Sequence, residues 1–414
     1  MKLKTLIKKN RLTARLAYTL REKRCTHMLR KYQKLPLNPN KVFFYRPDGG
    51  YGDNPRAIAD YLRRSNPQLE LVWACAGKRF FPDIPAGIKP VVFETEECFL
   101  EMATAGAWVA STTLPYGTVK RKGQLYIQTW HGDKFLKRIA NDALADIKAY
   151  QRGMASRKFC EPSLCDLFLT GCEWFVPIAA SAFGYRGRFL RCGMPRNDCL
   201  VRLDEERCNE IRERLGIDPG AGVLIYAPTF RDYEKSHDTV RSDIDLARIL
   251  DALAEKDGRD WICLMRAHDG KSLKISGEPI RDQRFRDVTS YPDMADLLMI
   301  SDALVSDYSS CGADFALTGK LVLLYQDDID RYTTAGRKLY FSREDSPYFT
   351  ASNMDEALAL IRAASEESVR ANCRAILDFY DSFETGRACE AVGRVILEGL
   401  PIIEDYQRKE REQV

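Results

Sequence analysis

With 414 residues, 45% hydrophobic and 29% charged, the chain is long enough for two or three domains with their own cores and has the make-up of an ordinary globular protein. Thirteen cysteines, an odd number with no C-x-x-C pair, argue against a disulfide framework or a zinc knuckle and for reduced thiols in a cytosolic protein. The net charge of +4 is uneven: residues 1–34 hold twelve Lys/Arg against Glu22, or +11, so the remainder carries 4 − 11 = −7.

No window approaches the ~18 consecutive apolar residues of a membrane span, and MKLKTLIKKNRL lacks the apolar core of a signal peptide, so a cytoplasmic location is expected. In the basic segment Leu3, Ile7, Leu12, Leu16 and Leu20, with Leu6 and Tyr18 nearby, recur at roughly helical spacing. This predicts a basic amphipathic helix suited to an anionic membrane face; a solvated leader or a helix packed on the body accounts for the pattern equally well. Nucleic acid is not an expected partner, because the basic stretch is confined to one terminus and no recognisable nucleic-acid module follows it.

Past residue 40 short β-rich apolar runs alternate with amphipathic stretches. The expected strands of the first half are KVFFYR (41–46), LELVWAC (69–75), KPVVF (89–93), AWVAS (107–111), LYIQTW (125–130) and DLFLT (166–170). Helices are expected at 54–64, with Asp53 as cap and Pro55 in the first turn, and at 172–183, with Pro177 as a point of kinking. The second half repeats the alternation with strands at 222–228, 261–266, 285–290, 303–307 and 321–325 and helices at 203–215, 243–256, 293–300 and 310–318. Residues 353–398 read as two or three helices, followed by a charged tail.

Strands alternating with helices predict an α/β protein of two doubly wound domains with parallel sheets. The join is expected at GMPRNDCL (193–200), giving a basic segment at 1–38, a first domain at 39–198, a second at 199–385 and a C-terminal helix and tail at 386–414. Ligands of such folds bind beyond the carboxyl ends of the strands.

Polar clusters sit at four of those ends. In IQTWHGDK, Gly132 lets the backbone turn while His131 projects; a histidine there suits proton transfer, or merely caps a loop. LMRAHDG places Arg266 and His268 on one side of an extended segment, as a phosphate site or as a surface ion pair with a bystander histidine. In VSDYSSCGAD, Ser309 or Ser310 begins a helix, which serves either anion binding or ordinary capping. Thr229 and Arg231 of YAPTFRD follow a buried strand and are candidates for the same phosphates. The acids of YQDDIDRY read as a solvated loop rather than a metal site, and no metal or other cofactor is expected.

Taken in order, TWHG, GMPRND, YAPTFR, RAH and SDYSS resemble the CDP-glycerol glycerophosphotransferase family of teichoic acid and related bacterial polymer synthesis, over residues 40–385. The resemblance implies a GT-B architecture and transfer of glycerol phosphate from CDP-glycerol to a hydroxyl of a lipid-linked saccharide or polyol-phosphate acceptor, with release of CMP. It assigns His131 as base, His268 with Arg266 to the donor diphosphate, Ser309 and Ser310 to the phosphates and Asp314 to the ribose or glycerol hydroxyls. Arg231 and Asn197 are placed at the cleft. It also implies a peripheral enzyme on the inner face of the cell membrane, docked through residues 1–34, and of the short, single-addition type.

The sequence departs from the family pattern at Asp133 and Lys134 after WHG, at Asp269 after R-x-H and in SSCGAD. These departures touch the acceptor side and the choice of polyol. The alternatives are a CDP-ribitol ribitolphosphotransferase, a nucleotide-sugar GT-B glycosyltransferase or epimerase, and a catalytically inert membrane-associated scaffold on the same body.

Overall fold

The computed structural model describes residues 11–46, 50–144, 163–229, 231, 239–240, 244–267, 272–273 and 282–400. Seven strands form a first parallel sheet: β1 (Asn38–Tyr45), β2 (Glu70–Cys75), β3 (Ile88–Val92), β4 (Ala105–Ala110), β5 (Leu125–Gln128), β6 (Leu167–Thr170) and β7 (Arg188–Arg191). Their spatial order is β3-β2-β1-β4-β5-β6-β7, every pair parallel. The central strands are buried along almost their whole length, which is why they read as unbroken apolar runs such as VFFY and AGAWVA.

The second half contributes β8 (Gly222–Tyr226), β9 (Thr239–Val240), β10 (Trp261–Met265), β11 (Ser272–Leu273), β12 (Phe285–Asp287), β13 (Ala303–Ser306), β14 (Leu321–Tyr325) and β15 (Phe349–Ala351). Six of them form a parallel sheet in the order β12-β10-β8-β13-β14-β15, and β9 pairs with β11 separately. The architecture is α/β with two Rossmann-like sheets, as the alternation predicts. In each sheet the strand order reverses once, between β1 and β4 and between β8 and β13, and a crevice at the carboxyl ends opens at such a reversal.

Three local expectations are corrected. Asp53 does not cap: it is the first residue of the helix Asp53–Ser65, whose N-cap is Gly52, and its φ of +64° turns the side chain to other work. The helix expected from 172 starts at Phe175, so Pro177 falls in the first turn, where a missing N–H costs nothing, and the helix runs unbroken to Phe183. The strands β7 and β15 were not expected: RFLR and FTA are short edge strands, too brief for a periodic signal.

Three helices, Met354–Ala363, Glu366–Phe379 and Ala388–Glu398, follow β15. The last returns to the first sheet, where Ala388, Ala391, Val392 and Val395 join the core of Val42, Phe44 and Trp73. Gly393 permits this return, because a Cβ there would lie 2.7 Å from the Tyr61 ring. The N-terminal helix Arg11–Tyr32 packs through Cys25 and Leu29, and Arg21 and Lys31 pair with Glu94 and Glu96 at 2.6 and 2.7 Å. Leu16 and Leu20 on the same helix stay 62% and 58% exposed. Leu3, Leu6 and Ile7 lie outside the described residues.

Candidate active site

His131 follows β5 and is exposed, with its ring stacked on Trp130 at a centroid distance of 4.4 Å. Its Nδ1 lies 3.1 Å from the carbonyl oxygen of Ser111, the residue just beyond β4 at the reversal point of the first sheet. A carbonyl only accepts, so Nδ1 carries the proton in this bond, and in the neutral ring the lone pair is then on Nε2. The loop is held in unusual backbone conformations: φ is +50° at Trp130 and +144° at Gly132. Asn54 supports it by donating Nδ2 to the Trp130 carbonyl at 3.1 Å.

Gly132 faces the second sheet. A Cβ at that position would stand 3.1 Å from Ser310 Oγ and 3.3 Å from Arg196 Nη2. The expected base and the expected phosphate turn therefore meet, although 178 residues separate Gly132 from Ser310. Ser309 and Ser310 lie just beyond β13 and are half-buried. The helix they open, Cys311–Ala316, has no side-chain cap at Ser310; Ser309 Oγ accepts weakly from the Cys311 N–H at 3.4 Å.

Thr229 lies beside them, its N–H donating to both oxygens of Asp307 at 2.8 and 3.0 Å. Its hydroxyl is buried and makes no hydrogen bond among the described residues. Arg231, expected at the donor phosphates, is engaged with internal partners. Its guanidinium reaches Asp307 and Asp328 at 2.7 Å each, donates to the Thr229 carbonyl and lies over the rings of Tyr308 and Tyr332. It braces the turn after β13 from inside. Asp328, read as part of a solvated loop, is the outer half of that brace.

Asp314, expected at a substrate hydroxyl, is buried and engages both oxygens internally: Arg196 Nη2 donates to Oδ2 at 2.6 Å and Asn197 Nδ2 to Oδ1 at 2.9 Å. Arg196 also donates to Asp53 at 2.9 Å, so one guanidinium bridges the helix Asp53–Ser65 of the first sheet and the helix Cys311–Ala316 of the second. Arg266 Nη1 donates to the carbonyls of Val288, at 3.0 Å, and Tyr291. His268 lies outside the described residues.

Sequence reading gave Asp53 a capping role only and did not single out Arg196, Ser111 or Asp307. Arg196 was within sight as the neighbour of Asn197 in GMPRND, whereas the others carry no local signal. Among the described residues no group of three or more His, Cys, Asp or Glu is arranged to hold a metal.

The sequence profile of the CDP-glycerol:poly(glycerophosphate) glycerophosphotransferases matches residues 27–398. The chain belongs to this family. The teichoic acid glycerol-phosphate transferase of Staphylococcus aureus is 32% identical over 387 residues, 88% of this chain and 94% of that protein. The teichoic acid poly(glycerol phosphate) polymerase of Bacillus subtilis is 29% identical over 403 residues, 94% of this chain and 53% of that protein. The chain thus spans about half the length of this polymerase and of its Staphylococcus epidermidis counterpart.

The solved structure of the wall teichoic acid polymerase TagF superposes with a TM-score of 0.75 at 26% identity, covering 95% of this chain and 98% of that one. A variant of that polymerase soaked with CDPG gives 0.73 at 26% identity, covering 98% and 97%. The GT-B-like arrangement expected for this family is therefore the arrangement of this chain.

Proposed function

We propose that the protein transfers glycerol phosphate from CDP-glycerol to a hydroxyl of a membrane lipid-linked acceptor in teichoic acid or related polymer synthesis. The observation that carries this reading is the meeting of His131 and Gly132, at the end of β5, with Ser310 and Arg196 at the mouth of the second sheet. One side supplies a base and the other a polar turn at a sheet reversal, where phosphate-bearing ligands bind in such folds.

In the reaction His131 Nε2 removes the acceptor hydroxyl proton as its oxygen attacks the β-phosphorus of CDP-glycerol. The bond from that phosphorus to the CMP oxygen breaks, and CMP leaves. The hydroxyls of Ser309, Ser310 and Thr229 donate to the diphosphate, and Arg266 with His268 binds it as well. Asp314, Asn197 and Arg231 hold these donors in place rather than touching substrate. The stack on Trp130 and the Ser111 carbonyl fix the imidazole before substrate arrives, which is how positioning lowers such a barrier.

The acceptor is reached from the inner membrane face, and the N-terminal helix is the contact, because Leu16 and Leu20 remain exposed beside its cations. Among the described residues no helix is long and apolar enough to cross a membrane.

The test is CMP release from CDP-glycerol in the presence of bacterial membranes that supply acceptor. His131→Ala is expected to lower it by about 10²–10⁴-fold while the far-ultraviolet circular dichroism stays unchanged. Release of UDP from a UDP-sugar, with CDP-glycerol untouched, overturns the reading in favour of a glycosyltransferase.

A further inference from the structure

In the loop just past the candidate base, two charged side chains are withdrawn from solvent. Lys134 is 0% exposed and Asp133 1% exposed. The Lys134 ammonium donates to Asp133 Oδ1 at 3.2 Å and to Glu384 Oε1 at 2.8 Å, and Glu384 is itself 1% exposed. Burying such ions costs several kcal/mol each unless they are well paired, and an apolar set of similar volume is often at least as stable. Stability alone is a poor account of the cluster.

Its connections suggest another. Asp133 Oδ2 accepts the Gly171 N–H at 2.6 Å, just past β6. Glu384 Oε1 accepts from Asn197 Nδ2 at 3.0 Å, and Oε2 from the Met194 N–H at 2.8 Å. Asn197 passes the contact to Asp314, Asp314 to Arg196, and Arg196 Nη2 stands over Gly132. The path leaves the loop after His131 at Asp133 and returns to it at Gly132, having crossed the helix that follows Ser310.

The backbone makes room for this circuit. A Cβ on Gly171 would collide with Glu384 Oε1, and one on Gly193, where φ is +89°, would lie 2.6 Å from Oε2. Burial opposes the charge on Lys134, yet Asp133 and Glu384 hold its pKa well above the usual lysine value, so the ammonium persists. Burial pushes the Glu384 carboxyl up while Lys134 acts against it. The three nitrogen donors around Glu384 match its ionised form.

We propose that Asp133, Lys134 and Glu384 are positioning residues that set where His131 stands relative to the turn at Ser309 and Ser310. The proposal rests on His131 being the base, and it assigns a purpose to the buried ions of the loop that follows it.

The experiment compares wild type with Lys134→Met, Glu384→Gln and the double variant. Two readouts are taken: steady-state CMP release from CDP-glycerol, and the His131 imidazole signal by NMR. Only four histidines are present, and the signal is identified by its loss in His131→Ala. Each single variant is expected to lower kcat roughly 10–100-fold, with KM for CDP-glycerol within about threefold. The double variant loses no more than the worse single one, since both break one circuit.

The His131 signal shifts in all three variants. Folded variants with wild-type kcat, or with an unmoved His131 signal, overturn the proposal. If Lys134→Met does not fold, Asp133→Asn keeps the shape and the Gly171 contact, and an unmoved His131 signal in it is equally decisive. Absence of CMP release by the wild type would refute the proposed reaction, while the NMR comparison would still decide the positioning role.

Discussion

Gly132 shows how much of the site depends on single atoms. At φ +144° it occupies a region that side-chain-bearing residues avoid, and the space its Cβ would take belongs to Ser310 and Arg196. Gly132→Ala is expected to cost about 1–3 kcal/mol of stability by urea denaturation and to lower CMP release more than the stability loss accounts for. A variant with wild-type turnover would mean that the loop and the Ser310 turn need not touch. His131 was legible in the sequence because one contiguous stretch, an apolar strand followed by His-Gly, placed it at a strand end. The engagement of Asp314 and Arg231 with internal partners was not legible, because each meets its partner from a distant segment: Arg196 is 118 positions from Asp314, and Asp328 is 97 from Arg231.

Elements were legible where burial is continuous. The strands β1, β2, β4 and β8 stand at sheet centres and are apolar on both faces, so their runs announce themselves, whereas β7 and β15 lie at edges with three or four residues each. The helix Glu96–Thr104 is capped by Thr95, which accepts the Cys98 N–H, and is tied to the sheet by Glu101. That carboxylate is 6% exposed and pairs with Lys41 of β1 and with Lys89 of β3.

Burial works against the charge on Glu101, but the two lysines outweigh it and hold the pKa below its ordinary value near 4.5. An acid whose folded pKa is depressed stabilises the fold above its unfolded pKa and loses that contribution as pH falls through the folded one. Glu101→Gln is therefore expected to be about 2 kcal/mol less stable than wild type at pH 7. The gap should close as pH drops below about 4.5. Urea midpoints of both proteins at pH 7 and pH 3.5 check this; a gap independent of pH would show that the pair does not act through charge.

At the scale of the whole molecule, the two sheets are joined by ion pairs as well as by chain. Arg196 links Asp53 to Asp314, and Arg56 of the helix Asp53–Ser65 reaches Asp293 and Asp296 at 3.0 Å each. In the described part of the N-terminal helix, Arg21, Cys25, Leu29 and Lys31 make the contacts to the body while Leu16 and Leu20 stay exposed. Replacing Leu16 and Leu20 together by Ser is expected to lower partitioning onto vesicles containing phosphatidylglycerol roughly tenfold, leaving CMP release with a water-soluble acceptor analogue unchanged. Equal partitioning of the two proteins would mean that the exposed leucines do not enter the bilayer.

By itself the sequence determined the alternation of strands and helices, the order of the strand-end motifs and the placing of His131, Thr229, Ser309 and Ser310 at carboxyl ends. Periodicity and strand termini are written in neighbouring residues, so no folding is needed to read them. Only the tertiary structure decided which carboxylate meets which cation, and hence which polar residues are engaged with internal partners. Lys134 and Glu384 stand 250 positions apart, and no local pattern links two residues that become partners only when the C-terminal segment folds back on the first sheet.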